Sequence, residues 1–511
     1  MDSASLARLI ETVGSYEQDS LTIIRHGKIV ADAYYAPYVA GVSHDLRSVT
    51  KSVVGTLIAI QLQKGSLDSV DHPVLDLFSG EEIQWVDDRK RAMTVQSLLD
   101  MTSGIEWVEK GLTPDETIVK MFNSPDRTAF VLNQPMAGTP GASFNYNGGN
   151  AYLLSALVTK RSGQNAFDFA KKELFEPIGI KSAKWGPVDA QGIVDGQAGL
   201  FLSPHDMARI GYLYLHNGMW DGRQIIPPSW VDRAKAGPVE ATSRFHYGNL
   251  WWSYPEKGAY MARGRHSQLI LVIPKLDVVA VMTGIAWDHD SAPGLIDDIS
   301  KAVKSDDPLP ADPSATALLT NAIGQATTEK PSNEPYLSSE LINDVSDAVE
   351  SYKRLPADPI AKASRTIAIR RAATEKPSTI DGTPELAKAV SGKAYEFTDN
   401  VLHVKAFTLN FLDSDASWIR TTKTGQAERP IDRVTVLVGL DGTYRRSPPA
   451  PYGINAARGR WINEHTFAID RRILGHAETE TWALTFYGDK VTVNFENTDG
   501  FRAELHGKCS E

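Results

Sequence analysis

The sequence RSVTKSVVGTLI, residues 47–58, joins a Ser-x-x-Lys pair to a long apolar run. On a helix, side chains three residues apart lie on one face, so the Ser48 hydroxyl and the Lys51 amine would sit about one turn apart. Residues 49–62 are mostly apolar and contain no proline, and a run of this length favours a buried helix over a strand. The stretch therefore predicts a buried helix whose first turn carries a hydroxyl and an amine together.

This pair of groups is suited to nucleophilic catalysis. A serine hydroxyl is a poor nucleophile until a base removes its proton. Lys51 serves as that base only if burial and neighbouring positive charge lower its pKa enough to keep it partly neutral. The amide dipoles at the start of a helix also favour negative charge on Ser48. Because Ser-x-x-Lys alone occurs often by chance and is then more commonly a helix cap followed by a surface lysine, the assignment needs support from elsewhere in the chain.

Two later segments supply candidate partners. Residues 143–150 (SFNYNGGN) place Tyr146 on a glycine-rich turn before a helix predicted over 151–161, where a phenol can pass a proton to a leaving group. Aromatic packing beneath a loop is the alternative. Residues 262–268 (ARGRHSQ) lead into a predicted strand, where Gly264 lets substrate lie against the backbone and the next N–H can help to bind an oxyanion. His266 is a weaker candidate for the base, because Lys51 already supplies one.

The order of these three motifs resembles that of the β-lactamase-like serine hydrolases. This superfamily includes penicillin-binding proteins, class C β-lactamases, related esterases, D-aminopeptidases and 6-aminohexanoate-dimer hydrolases. Four further segments resemble family segments in the same order, at residues 45–52, 98–104, 198–209 and 247–252. The resemblance covers roughly residues 20–290.

The resemblance implies a role for each motif residue. Ser48 would be the acylated nucleophile, Lys51 its general base and Tyr146 the acid/base partner. The backbone N–H groups of Ser48 and Arg265 would form the oxyanion hole. The remaining substrate-binding candidates are Gly264, Asn147, Arg263 and His266.

Two departures from the family pattern bear on the substrate. Many members have Tyr-x-Asn, whereas this chain has Tyr146-Asn147-Gly148. Residues 262–264 read Ala-Arg-Gly where β-lactamases and peptidases have Lys-Thr-Gly or His-x-Gly. The cationic first position often holds a substrate carboxylate, so its loss argues against efficient β-lactam hydrolysis. We therefore expect a carboxylesterase or amidase, with a β-lactamase or D-amino-acid peptidase as the alternative and a non-catalytic binding protein as a third.

The chain divides into three predicted parts. Residues 1–300 read as α/β (α+β), with strands at 21–25 and 29–35 and a hairpin at 269–273 and 278–283 that suit one central antiparallel sheet flanked by helices. Residues 301–383 read as a helical connector with an internal duplication, because LPADP and TEKPS each recur at an offset of 46 residues. Residues 384–511 alternate apolar and polar positions over short runs, which predicts an antiparallel β barrel or sandwich.

Composition limits the partners. The chain is 42% hydrophobic and 23% charged, which is typical of a folded globular protein. A net charge of −10, spread along the chain, argues against nucleic acid or an anionic membrane as the main partner. Cys509 is the single cysteine, so no intramolecular disulfide or cysteine-based metal site can form.

These observations predict a protein without a membrane span that needs no cofactor or metal and acts on a small ester, amide or short peptide. No run of about 20 apolar residues occurs, and the first residues do not resemble a secretory signal. The compartment stays open between cytoplasm, as the sequence is written, and periplasm or exterior if a signal has been removed. A homodimer is a further open option.

Overall fold

The computed structural model describes residues 1–14, 18–110, 113–285, 291–306, 385–412, 415–426, 429–450 and 453–509. The described residues form two compact units, one of 1–32 and 43–306 and one of 33–42 and 385–509. The segment Ala33–Val42, predicted as part of the first domain, thus belongs to the second unit. The predicted connector and its duplication lie outside the described residues, except for 301–306.

The first unit contains helices and strands in mixed order. Its α-helices are α1 (Ser3–Gly14), α2 (Val49–Gln63), α3 (Val74–Leu77), α4 (Asp88–Arg91), α5 (Val95–Leu99), α6 (Thr117–Phe122), α7 (Arg127–Leu132), α8 (Gly148–Ser162), α9 (Ala166–Ala170), α10 (Pro204–Leu215), α11 (Pro228–Ala236) and α12 (Ser291–Ala302). Its strands are β1 (Gln18–Arg25), β2 (Lys28–Tyr34, whose last two residues belong to the second unit), β3 (His44–Asp45), β4 (Lys184–Trp185), β5 (Leu200–Leu202), β6 (Met219–Trp220), β7 (Arg223–Gln224), β8 (Val239–Glu240), β9 (His246–Gly248), β10 (Trp251–Tyr254), β11 (Ala259–Gly264), β12 (Gln268–Ile273) and β13 (Val278–Gly284). None of the described helices is both long enough and apolar enough to cross a bilayer.

An eight-stranded sheet in the order β2-β1-β13-β12-β11-β10-β9-β8 forms the centre of this unit. β1 pairs antiparallel with β13, with Ile23 opposite Ala280, so strands from the two ends of the predicted domain meet. β12 and β13 form the predicted hairpin, with Leu269 opposite Met282. Both strands are buried along their whole length, as expected for a sheet covered on both faces. The predicted α+β architecture is confirmed.

Helix α2 lies inside the core of this unit. Its residues from Val49 to Gln61 are all buried, and it contacts α8 and β11. A helix that is apolar all round has to be covered on every side, and this explains the long apolar run after Ser48. The predicted helix over 49–62 is confirmed, and its first turn is fixed in place by the packing of the rest.

Among the described residues, the second unit is a β barrel with one helix. Its elements are α13 (Glu385–Val390), β14 (Ala394–Phe397), β15 (Val404–Phe411), β16 (Asp415–Gln426), β17 (Arg429–Gly439), β18 (Arg445–Arg446), β19 (Asn455–Trp461), β20 (Thr466–Ile473), β21 (Thr479–Tyr487), β22 (Lys490–Asn497) and β23 (Arg502–Cys509). The sheet runs β17-β16-β15-β14-β23-β22-β21-β20-β19 and closes through a parallel pairing of β17 with β19. Closure removes the free edges of a sheet, and it selects the barrel over the sandwich.

A buried ion pair joins α10 to the central sheet. His205 Nε2 lies 2.9 Å from Asp32 Oδ2, and the Thr22 hydroxyl donates to Asp32 Oδ1 at 2.8 Å. Burial acts to lower the pKa of His205, but the Asp32 carboxylate outweighs it, so the pKa is raised above its ordinary value of 6.5. His205 therefore contributes stability that is complete below pH 6.5 and is lost as the pH rises through the raised pKa.

We expect His205→Gln to lower the free energy of unfolding by about 3 kcal/mol below pH 6.5, because Asp32 then loses its charged partner. The loss should shrink at alkaline pH, where His205 is already neutral in the native protein. Urea denaturation of both proteins across this range measures the difference. His26→Gln, which removes a 42% exposed histidine paired with Asp277, is the control and should cost little at any pH. An equal loss for His205→Gln at acidic and alkaline pH would contradict the assignment.

Candidate active site

The predicted nucleophile and base are hydrogen-bonded to each other. Ser48 is the N-cap residue of α2, and its side chain makes no capping hydrogen bond. Lys51 Nζ lies 2.9 Å from Ser48 Oγ. Ser48 is partly exposed, whereas Lys51 is only 1% exposed. The hydroxyl is therefore open to a substrate while the amine is shielded from water.

The backbone enters Ser48 through an unusual conformation. Arg47 has a φ of +47°, in the left-handed region that a residue with a side chain rarely adopts. Its N–H donates to Asp45 Oδ1 at 3.0 Å, and its Nε lies 3.3 Å from Asp45 Oδ2. These contacts hold the sharp bend that directs Ser48 away from the strand before it.

A second segment contacts the lysine from the opposite side. Lys51 Nζ donates to the backbone oxygen of Gln197 at 3.1 Å and lies 3.4 Å from its side-chain Oε1. Asp195 holds this segment, since its carboxylate accepts from the Gln197 N–H at 2.9 Å. Three oxygens thus surround the amine, which is the environment expected for a buried ammonium group.

The charge state of Lys51 differs from the sequence prediction. Burial acts to lower its pKa, but Tyr146 and the carboxylates of Glu109 and Asp195 outweigh burial, so the pKa of Lys51 is raised above its ordinary value. The sequence argument made a lowered pKa the condition for Lys51 to act as base, and the pKa is shifted in the opposite direction because the charged neighbours are acidic. In the resting protein the lysine holds its proton and donates to Ser48.

Tyr146 faces the same amine. The Lys51 ammonium lies 4.8 Å from the centre of the Tyr146 ring, and a hydrogen bond between the two side chains contributes to the raised pKa of Lys51. The loop that carries Tyr146 is held by a backbone hydrogen bond, in which the Asn145 N–H donates to the backbone oxygen of Met101 at 2.8 Å. The structure therefore brings the three predicted catalytic side chains together.

Glu109 is an acidic residue near the site that the sequence analysis did not identify. Its Oε2 accepts from the indole N–H of Trp107 at 2.9 Å and from the Gly148 N–H at 2.7 Å. Gly148 is the first residue of α8, so the carboxylate lies at the positive end of that helix dipole. Glu109 thus anchors the start of α8, immediately after the Tyr146 loop, while its charge raises the pKa of Lys51.

Gly264 brings β11 against the nucleophile. A Cβ at this position would lie 2.4 Å from the Leu46 backbone oxygen and 3.1 Å from the Ser48 backbone nitrogen. Only glycine permits so close an approach. Arg265 follows in the turn between β11 and β12, so its N–H and that of Ser48 belong to neighbouring pieces of backbone.

Aromatic rings and an arginine flank Tyr146. Its ring stacks on Trp252, with centroids 6.0 Å apart. The guanidinium of Arg263 lies 5.7 Å from the centre of the Trp252 ring and 4.9 Å from that of Phe245. Arg263 therefore supplies positive charge near the site, although it occupies the position after the one that is cationic in relatives.

Three tryptophans of the first unit, Trp107, Trp185 and Trp251, belong to its core. Trp107 is 5% exposed, Trp185 8% and Trp251 0%. Trp252 is partly exposed and stacks on Tyr146. Trp252 therefore differs from these three in lying beside the candidate catalytic residues.

Two predicted substrate-binding residues, Asn147 and His266, are buried. Asn147 is the N-cap of α8, where its side-chain oxygen accepts from the Asn150 N–H at 3.1 Å, and it is 1% exposed. His266 is 0% exposed and has a φ of +61° in the turn before β12. Both side chains are buried in the absence of a substrate, and their contact with a substrate stays a prediction.

Comparison with known proteins places this site in a family context. A family model described as Beta-lactamase matches residues 6–288. A 6-aminohexanoate-dimer hydrolase from Paenarthrobacter ureafaciens is 23% identical over 313 residues, which cover 56% of this chain and 78% of that protein. A solved structure from Bacillus anthracis, provisionally assigned as a 6-aminohexanoate-dimer hydrolase, is 22% identical with a TM-score of 0.50 and covers 57% of this chain and 81% of that one. An octameric penicillin-binding protein homologue from Pyrococcus abyssi, 16% identical with a TM-score of 0.45, covers 99% of this chain and 100% of that one.

We expect Gly264→Ala to lower kcat about a hundred- to a thousand-fold, the cost of losing an oxyanion donor. The added methyl would meet the Leu46 oxygen and has to push β11 away from the Ser48 backbone. Steady-state kinetics with a chromogenic ester, together with thermal melting, checks this. Gly138→Ala is the matched control, because a Cβ there meets nothing within 4 Å. Full activity in a well-folded Gly264→Ala protein would show that the close approach is not used in catalysis.

Proposed function

Since the chain belongs to the beta-lactamase family, we propose that it hydrolyses a small ester or amide through an acyl-enzyme on Ser48. The observation that carries this proposal is the 2.9 Å hydrogen bond between the buried Lys51 amine and the partly exposed Ser48 hydroxyl. A surface lysine after a helix cap, the alternative interpretation of Ser-x-x-Lys, does not fit a residue that is 1% exposed.

In the proposed acylation step, Ser48 Oγ attacks the substrate carbonyl carbon while its proton passes to neutral Lys51. The carbonyl oxygen becomes an oxyanion, for which the Ser48 and Arg265 N–H groups are the proposed donors. Tyr146 gives a proton to the departing alcohol or amine as the tetrahedral intermediate collapses. In deacylation the Tyr146 phenolate takes a proton from the water that attacks the acyl carbon, and the Lys51 ammonium returns a proton to Ser48 Oγ as the acid leaves.

The resting charge state sets a condition on this mechanism. An ammonium group cannot accept a proton, so Lys51 has to lose its own before it can take that of Ser48. Because the pKa of Lys51 is raised, its neutral form is scarce at neutral pH and increases as the pH rises. We therefore infer that acylation accelerates into the alkaline range.

The aromatic rings and the arginine beside Tyr146 favour a small ester or amide as the substrate. Trp252 and Tyr146 form a stacked aromatic wall, and Arg263 adds a cation beside Trp252. The name of the Paenarthrobacter relative, which refers to an amide-linked dimer, supports an amide with a charged end. A β-lactam or D-amino-acid peptide is the second candidate, favoured by the family itself and disfavoured by alanine at position 262.

Ser48→Ala should abolish covalent labelling by a fluorophosphonate probe, and Lys51→Ala should slow acylation about a hundred- to ten-thousand-fold. Intact-mass spectrometry measures the adduct and its rate. Lys64→Ala, which removes a 50% exposed lysine at the other end of α2, is the control and should label like the wild type. Unchanged turnover of Lys51→Ala would rule out lysine as the base, and a wild type without any adduct would favour the binding protein.

The substrate class is tested by assaying p-nitrophenyl butyrate, the 6-aminohexanoate linear dimer and nitrocefin side by side. We expect kcat/KM to be greatest for the ester or the amide, because residue 262 is an uncharged alanine. A kcat/KM for nitrocefin above both would instead identify a β-lactamase.

We expect kcat/KM to rise about tenfold per pH unit toward the pKa of Lys51, as the neutral base increases. Glu109→Gln removes one of the charges that raise this pKa, so the profile should shift to lower pH. The glutamine can still accept from the Gly148 N–H, which keeps the start of α8 in place. Glu106→Gln, on an exposed residue of the same segment, is the control and should not move the profile. An unshifted profile in Glu109→Gln would show that another group sets the pH dependence.

A further inference from the structure

Toward one end of the β barrel, charged side chains lie on the same strand faces as buried tryptophans. Arg420 follows Trp418 by two residues on β16, and Glu480 precedes Trp482 by two on β21, so each charge shares a face with a buried indole. Trp418 is 0% and Trp482 3% exposed. The two indoles contact each other, with ring centroids 5.1 Å apart, and Arg420 and Glu480 follow them on the same face toward one end of the barrel.

Part of this cluster is satisfied within the barrel. Arg471 Nη1 lies 2.6 Å from Glu480 Oε2, and its Nε donates to Asn455 Oδ1 at 2.8 Å. The same Glu480 oxygen accepts from the Trp482 indole N–H at 2.9 Å. Arg471 and Glu480 therefore pair with each other and with neighbouring residues of the barrel strands.

Arg420 is different. Its guanidinium lies over the rings of Trp418 and Trp482, 5.4 and 5.2 Å from their centres. In the part of the chain that the structure describes, it makes no hydrogen bond and no ion pair. Burial, and then the charge of Arg471, lower the pKa of Arg420 to about 10. Its planar donors, which match a carboxylate in geometry, are left without an acceptor.

An unpaired carboxylate lies beside it. Asp432 is 7% exposed and, among the described residues, likewise takes part in no hydrogen bond or ion pair. Thr422 is opposite Asp432 and Arg420 is opposite Val434, so Arg420 and Asp432 are diagonal neighbours on β16 and β17, with Cα atoms about 7–8 Å apart. Although Asp432 attracts Arg420 at a distance, the guanidinium turns to the indoles instead of forming a contact.

We propose that this end of the barrel is a binding site for a small zwitterion, whose carboxylate pairs with Arg420 and whose ammonium pairs with Asp432. Arg420 is partly exposed and Asp432 is buried, and among the described residues neither forms a hydrogen bond or ion pair, so a ligand that reaches both can form charge-assisted hydrogen bonds with each. A simple anion satisfies Arg420 but is repelled by Asp432 and Glu480. A simple amine meets the reverse difficulty at Arg420 and Arg471. This proposal does not rest on the proposed hydrolase function.

The test is isothermal titration calorimetry on the full chain with γ-aminobutyrate, with butyrate and butylamine as ligands that carry one charge each. We expect the zwitterion to bind most tightly. Arg420→Gln should weaken its binding at least about tenfold, which is about 1.4 kcal/mol. Asp432→Asn should reduce the affinity for γ-aminobutyrate to that for butyrate.

Arg460→Gln is the matched control, because Arg460 is a 60% exposed barrel arginine paired with Asp470, and it should bind like the wild type. Thermal melting checks that each variant folds; if Arg420→Gln does not, the loss of selectivity in Asp432→Asn still tests the proposal. No binding to the wild type, or unchanged binding to folded Arg420→Gln, overturns it. Butyrate binding as tightly as γ-aminobutyrate, with no effect of Asp432→Asn, would show an anion site and overturn the zwitterion assignment.

Discussion

The buried hydrogen bond between Lys51 and Ser48 is the constraint on which the rest of the first unit depends. A protonated amine that is 1% exposed is tolerated only if oxygens surround it and negative charge lies near. Ser48 and Gln197 supply the oxygens, and Glu109 and Asp195 the charge. The segments that carry these groups are far apart in sequence, so the fold has to bring them to one turn of α2.

The packing of α2 explains how the site keeps its geometry. Because α2 is buried on all sides, its first turn cannot shift without disturbing α8 and β11. Tyr146 lies two residues before the start of α8, and β11 ends at Gly264, which lies against the Ser48 backbone. The neighbours that bury the helix are thus the same elements that deliver the candidate catalytic groups.

Local pattern was enough to predict helix α2 and the hairpin of β12 and β13, whereas the candidates Ser48, Lys51 and Tyr146 also needed the order of the three motifs and the family resemblance. The apolar run after Ser48 forms a helix and residues 269–283 form a hairpin, so tertiary packing did not override the local pattern in either segment. The parallel pairing that closes the barrel could not be read from alternation, since both a sandwich and a barrel satisfy it. The burial of Asn147 and His266 was also hidden, because a polar residue in a turn carries no signal of which way it points.

The sign of the Lys51 shift was beyond sequence reasoning for a related reason: burial is local and predictable, whereas the opposing charges come from distant segments. The result changes what kind of base the lysine is. A raised pKa makes the neutral amine a stronger proton acceptor when it forms, but it also makes that form scarcer. Acidic neighbours therefore make the neutral amine more basic but reduce the fraction of the protein that contains it. In the proposed mechanism, the Lys51 ammonium that donates to Ser48 has to lose one proton before it can accept the proton of the serine.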